Sequence, residues 1–111
     1  MKTINIEYGH PTCDEAMVYL KSALLTERKL GTKNVKIVHG YGSNGVGGKI
    51  KNAVYSDMRR YVSNGTIRMF CVGERFDSNH EEGIRISTRY PNVKSDSDWN
   101  RGNSGITIVG F

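Results

Sequence analysis

The residues of this chain best suited to chemistry gather in one glycine-rich stretch, VKIVHGYGSNGVGGKIKNAV, at residues 35 to 54. His39 closes an apolar run, Gly40, Tyr41, Gly42 and Gly45 follow, and Lys49 and Lys51 stand just beyond. Glycines between a strand and a helix let successive amides converge into a nest for an anionic oxygen, and the helix N-terminus adds positive potential. Lysines in a first helical turn oppose the helix dipole, a placement that a bound phosphate would explain. A histidine beside such a nest titrates near neutrality and suits general acid–base work on a phosphodiester, or service as a charged clamp. A hydrogen-bonded core or rim histidine is the plainer alternative. Glu7, at the end of an earlier expected strand, is placed to orient His39 or to hold a divalent ion such as magnesium or manganese; an edge carboxylate with no role is the other reading. His10 offers a second imidazole. Tyr41 suits stacking on a base or packing across the loop. Arg59 and Arg60 prolong the cationic line, although only one of two consecutive helical residues faces a given side well.

Two commoner glycine loops fit poorly. Gly40 to Gly45 spells GxGxxG between a strand and a helix, but no strand about 20 residues on carries the ribose-binding acid, and Asp57 falls within a helical pattern. The second half of a doubly wound sheet is also lacking. For a triphosphate loop ending at Gly48-Lys49, Ser43 stands where a glycine is required. Ile50 stands where a hydroxyl must reach magnesium.

The charge pattern favours an anionic partner. The chain has 111 residues and net charge +5, and the segment from Arg28 to Arg68 carries nine basic residues against Asp57 alone. A basic centre of this kind attracts polyanions through counterion release, so nucleic acid is the expected partner and an acidic protein the competing one. Cys13 and Cys71 show neither metal-ligand nor redox spacing, which predicts two reduced thiols in a cytoplasmic setting. No apolar run is long enough to span a membrane, and MKTINIEYGHPT lacks an apolar signal core.

The elements that would carry these residues follow from periodicity. INIEY at 4 to 8 alternates as a strand. Thr12 and Glu15 spell a capping box after Pro11, opening a helix from about Cys13 to Leu30 with Gly31 at its end. VKIV at 35 to 38 is a short buried strand, and Ile50, Ala53, Val54, Met58, Tyr61 and Val62 form the apolar stripe of a second helix. IRMFCV at 67 to 72 and ITIVGF at 106 to 111 are further strands, the last expected at an edge or beside the first. EEGIRISTRY suggests a short helix closed by Pro91, and the polar KSDSDWNRGNSG a loop. His80 in this region is expected to be exposed. The order β-α-β-α-β-(α)-β predicts one small domain with a single core. Its class is α/β, a two-layer sandwich of a four-stranded mixed sheet under two main helices.

Three segments, in order, resemble the Smr (small MutS-related) family. VKIVHGYGSNG resembles its HGxG signature at a strand end before a basic helix. IEYGHPTCDEA occupies the place of its first motif, and GNSGITIVGF resembles its closing glycine turn and strand. The resemblance spans residues 1 to 111, with an extension at about 75 to 101 that is atypical of the family. It implies a two-layer α/β fold and nucleic-acid binding, with DNA-nicking or RNA-cleaving activity in some members. Carried over by position, it places His39, Gly40 and Gly42 in the site, with Arg101 and Asn103 of the closing turn beside them. Glu7 stands where the family has aspartate. Gly9 stands where it has histidine, with His10 one place later. That departure favours a binding module on nucleic acid or a ribosome-associated site over an endonuclease.

Overall fold

A computed structural model describes residues 1–41 and 46–111; Gly42 and Gly45, both named above for phosphate binding, lie outside them. Strands β1 (Lys2–Asn5), β2 (Asn34–Val38), β3 (Met69–Val72) and β4 (Ile106–Gly110) alternate with helices α1 (Cys13–Lys29), α2 (Val46–Ser63) and α3 (Glu81–Arg89). The sheet runs β1-β2-β4-β3, with β1 and β2 parallel and β4 antiparallel to both of its neighbours. It is the mixed α/β sandwich expected, except that the last strand lies inside the sheet, clamped between β2 and β3, rather than at an edge.

Local chemistry explains most boundaries. Thr12 Oγ1 accepts from the Glu15 amide at 3.1 Å, and Glu15 Oε1 accepts from the Thr12 amide at 2.9 Å, completing the capping box. Gly31, at φ +79°, takes the left-handed turn past the helix end that favours glycine. β1 runs Lys2–Asn5 rather than over the expected residues 4 to 8, and it stops there because Asn5 Oδ1 accepts the amides of Glu7 and Tyr8, turning the chain out of the sheet. The same turn needs φ +80° at Gly9, where a histidine would be strained.

Two buried clusters flank the sheet, not one. On one face Ile4, Leu20, Leu24, Val35, Ile37, Val54 and Met58 pack α1 and α2 onto β1 and β2. On the other, Cys71, Phe76, Ile86, Tyr90, Val93, Ile106 and Ile108 bury the 3-10 turns and α3 of residues 73–95. Thus the segment at 75 to 101 is a second covering layer over half the sheet. Gly73 and Gly83 permit this: a Cβ on Gly73 would strike the carbonyl oxygens of Asn103 and Ile106, and one on Gly83 those of Asp77 and Arg75. Among the described residues no helix is long and apolar enough to cross a membrane. Cys13 and Cys71 are free thiols, and burial pushes that of Cys71 up to about 12.

Candidate nucleic-acid interface

β1, β2 and β3 end, and β4 begins, at one edge of the sheet, so residues far apart in sequence meet there. His39 leaves β2 with the parity of Val35 and Ile37, facing α2. It is fully buried. Its Nδ1 lies 3.0 Å from the Gly40 carbonyl oxygen and its Nε2 lies 2.9 Å from Thr107 Oγ1. A carbonyl only accepts, so Nδ1 carries the proton; neutral Nε2 then accepts from the Thr107 hydroxyl. Tyr55 of α2 meets the imidazole edge-on, with ring centroids 6.0 Å apart. Burial pushes the His39 pKa below its ordinary value, the Gly40 carbonyl opposes, and nearby Lys51 adds to the lowering. His39 is therefore a neutral clamp joining β2, the loop and β4. Both ring nitrogens are thus engaged within the protein, and the ring has no solvent access.

That state sets a pH dependence. A histidine whose folded pKa is depressed stabilises the fold fully above its unfolded pKa, and this is lost as pH falls below about 6.5. Wild type is expected to lose stability between pH 7 and pH 5, by at most about 1.4 kcal/mol per pH unit from this residue. His39→Gln should be weaker at pH 7.5 and flatter across that window in urea unfolding. Parallel profiles for the two proteins would contradict the clamp.

The oxyanion nest needs correction at its first glycine. The amides of His39 and Gly40 both donate to the Gly105 carbonyl, at 3.0 and 3.1 Å, continuing the β2–β4 pairing. Gly40 has φ +82°, and the Glu7 carboxyl carbon lies 3.2 Å from where a Cβ would stand. Gly40 thus spares room for a carboxylate and presents no free amide to an anion. Glu7 is exposed, and it does not orient His39, whose partners are Gly40 and Thr107. His10 is exposed at φ +52°, its amide donating to the Glu7 carbonyl. Among the described residues no three histidine, cysteine or acidic side chains group as metal ligands.

In the closing turn, half-exposed Asn103 donates to Asp98 Oδ1 at 2.9 Å and accepts the Gly105 amide at 2.9 Å. Asp98 in turn holds Lys36, whose Nζ stands 2.8 Å from Asp98 and 3.0 Å from Asp96. An unbroken chain of polar contacts therefore runs from Lys36 through Asp98, Asn103 and Gly105 to the amides of His39 and Gly40. Arg101 is exposed on this turn.

The cations divide sharply. Lys36 is neutralised by two aspartates, Lys51 pairs with Glu74 at 3.5 Å, and Arg60 pairs with Asp57 at 2.9 Å and lies over the Tyr61 ring. Buried Lys36 leaves the set counted above as open to a polyanion, whereas Arg60 keeps 62% of its side chain exposed. Glu74 and Tyr55, which sequence spacing did not single out, complete the edge: the Tyr55 hydroxyl donates to Glu74 at 3.2 Å, and burial pushes its pKa upward. His80 is half-exposed and bonded to Asp77.

On α2 the outward cations outside an ion pair among the described residues are Lys49 and Arg59, while Arg28, Lys29, Lys33 and Arg68 stay exposed elsewhere on the chain. Lys49, Asn52, Ser56, Arg59 and Ser63 are all exposed and recur at helical spacing within one narrow arc, and no acid shares it. Lys49 to Arg59 spans about 15 Å. Tyr41 projects from the end of the β2 segment, 65% exposed, its ring edge resting over Gly105. Its contact with Gly105 is the packing alternative, and its exposed face remains open to solvent.

No protein-family model matches this chain, and no curated protein matches it. Among solved structures it resembles the Smr domain of MutS2 from Thermus thermophilus, with a TM-score of 0.59 at 21% identity, over 99% of this chain and 96% of that one. The matched span takes in the segment at 75 to 101. The chain has the Smr-domain fold.

Proposed function

We propose that this chain is a nucleic-acid-binding module that grips backbone phosphates along the outer face of α2 and does not cut them. The observation that carries this reading is the acid-free line Lys49-Asn52-Ser56-Arg59-Ser63, two cations with amide and hydroxyl donors between them. Such a line neutralises phosphates without reading bases, and exposed Tyr41 gives one base a stacking surface. Arg101, exposed at the same edge, is a further phosphate contact. The fold is that of a domain borne by a MutS2 protein, which agrees with a nucleic-acid partner. The state of His39 argues against the endonuclease alternative, because neither ring nitrogen is free to act on a phosphodiester.

Labelled single-stranded and duplex DNA and RNA, incubated with and without magnesium or manganese, test both halves. The expected result is binding that weakens steeply with salt, and no shortened product in any condition. A product that forms with wild type and disappears with His39→Gln would restore hydrolysis. No binding at low salt would move the basic face to an acidic protein partner.

A further inference from the structure

At the opposite end of α2 from Lys49, the chain turns through Gly65 into β3 and leaves a cavity of about 420 Å³. Its walls are Arg28, Gly65, Thr66, Ile67, Arg68 and Phe111, with no acidic side chain among them. Arg28 comes from the last turn of α1 and Arg68 from the approach to β3, two segments brought together only by the fold. Both are exposed, and neither is paired with a carboxylate among the described residues. Each has a local reason to be basic: Arg28 complements the α1 dipole and Arg68 guards an edge strand. Neither reason accounts for the cavity they share.

The rest of the rim is already satisfied. The Gly65 amide donates to Val62, the Ile67 amide to Tyr61 at 3.2 Å, the Arg68 amide to Gly110 at 2.8 Å and the Phe111 amide to Lys33 at 3.0 Å. The Thr66 hydroxyl donates to Asn64 Oδ1 at 2.6 Å. Free donors therefore come from two guanidiniums, while buried Ile67 and half-buried Phe111 supply an apolar wall and an aromatic ring. Two forked cations beside an aromatic suit a doubly charged phosphate carrying a flat ring. A cavity of this size lies within the range that holds a small molecule.

We propose that Arg28 and Arg68 form a pocket for a nucleoside phosphomonoester, either a free mononucleotide or the phosphorylated end of a strand. The pocket adjoins the Ser63 end of the α2 line but takes none of that line's residues into its walls, and it does not depend on that line's role. Adenosine 5′-monophosphate and adenosine, titrated by calorimetry, are the probes. The monophosphate is expected to bind about tenfold tighter than the nucleoside. Arg28→Gln with Arg68→Gln should erase that preference and leave the circular dichroism spectrum unchanged. Lys49→Gln with Arg59→Gln should keep it, separating this pocket from the α2 line. A 5′-phosphorylated hexanucleotide that outbinds its 5′-hydroxyl twin identifies strand ends as the source; equal binding of the two, with the mononucleotide preference intact, identifies the free nucleotide. Equal affinity for monophosphate and nucleoside, or a preference that survives loss of both arginines, would overturn the pocket.

Discussion

Replacing Lys36 with alanine should destabilise the protein by about 3 kcal/mol at pH 7, because it strips the shared cation from two enclosed carboxylates. The Lys36 side chain is only 11% exposed and those of Asp96 and Asp98 are 12% and 18% exposed, so water cannot take over the lost partner. Hydrogen bonds from Lys36 and Asn103 outweigh burial and hold the Asp98 carboxyl below its ordinary range. A group depressed in this way stabilises the fold above its unfolded pKa of about 3.9, and that stability is lost as pH falls through the lower folded value. The gap between wild type and Lys36→Ala should therefore be widest near neutrality and narrow below about pH 4. Urea unfolding at several pH values measures this. The triple change Lys36→Met, Asp96→Asn, Asp98→Asn should recover most of the loss, since a buried pair often contributes little net stability over neutral side chains of similar size. A loss under about 1 kcal/mol at pH 7 would contradict the buried pair. The same triad tethers the turn that supplies the Gly105 carbonyl, so Lys36→Ala should also loosen the clamp at His39 and Gly40.

Local signals carried much of the fold. Thr12 and Glu15 announced the start of α1 because a capping box needs only four consecutive residues, and Gly31 announced its end for the same reason. The stripe from Ile50 to Tyr61 announced α2, although Val62, assigned to that stripe, is 40% exposed. What stayed hidden was non-local. The Lys36–Asp98 pair joins residues 62 apart, and nothing near VKIV says that its lysine meets aspartates. The second core needed α3 and the turns around it to be placed on the sheet, and a short helix with a polar loop gives no register for that. The inner position of β4 depends on pairing with both β2 and β3.

At the candidate site, one signal was in plain view. Period-two parity puts His39 on the face of Val35 and Ile37, and that face is buried; the motif drew attention to its chemistry, while its parity pointed to packing. Arg60 was legible too, since Asp57 lies one helical turn before it. Arg59 faces outward without a partner among the described residues, whereas Arg60 is exposed but paired with Asp57. Glu74 had no sequence signal beyond following a strand that ends at the shared edge.

The line on α2 carries the functional account, and neutralising its two cations is the strongest test of it. Lys49 and Arg59 are exposed, and glutamine in their place keeps helix propensity, so the fold should be unaffected. Each cation that neutralises a phosphate adds about 0.7 to the slope of log affinity against log salt on a single strand, and about 0.9 on a duplex. Lys49→Gln with Arg59→Gln should lower affinity at low salt about tenfold or more, without changing the preference among sequences. The decisive measurement is that salt slope, taken by fluorescence anisotropy on one labelled oligonucleotide for wild type and the double variant. The account predicts a slope shallower by about 1.4 on a single strand or about 1.8 on a duplex. Superimposable lines for the two proteins would show that nucleic acid, if bound at all, lies elsewhere on the molecule.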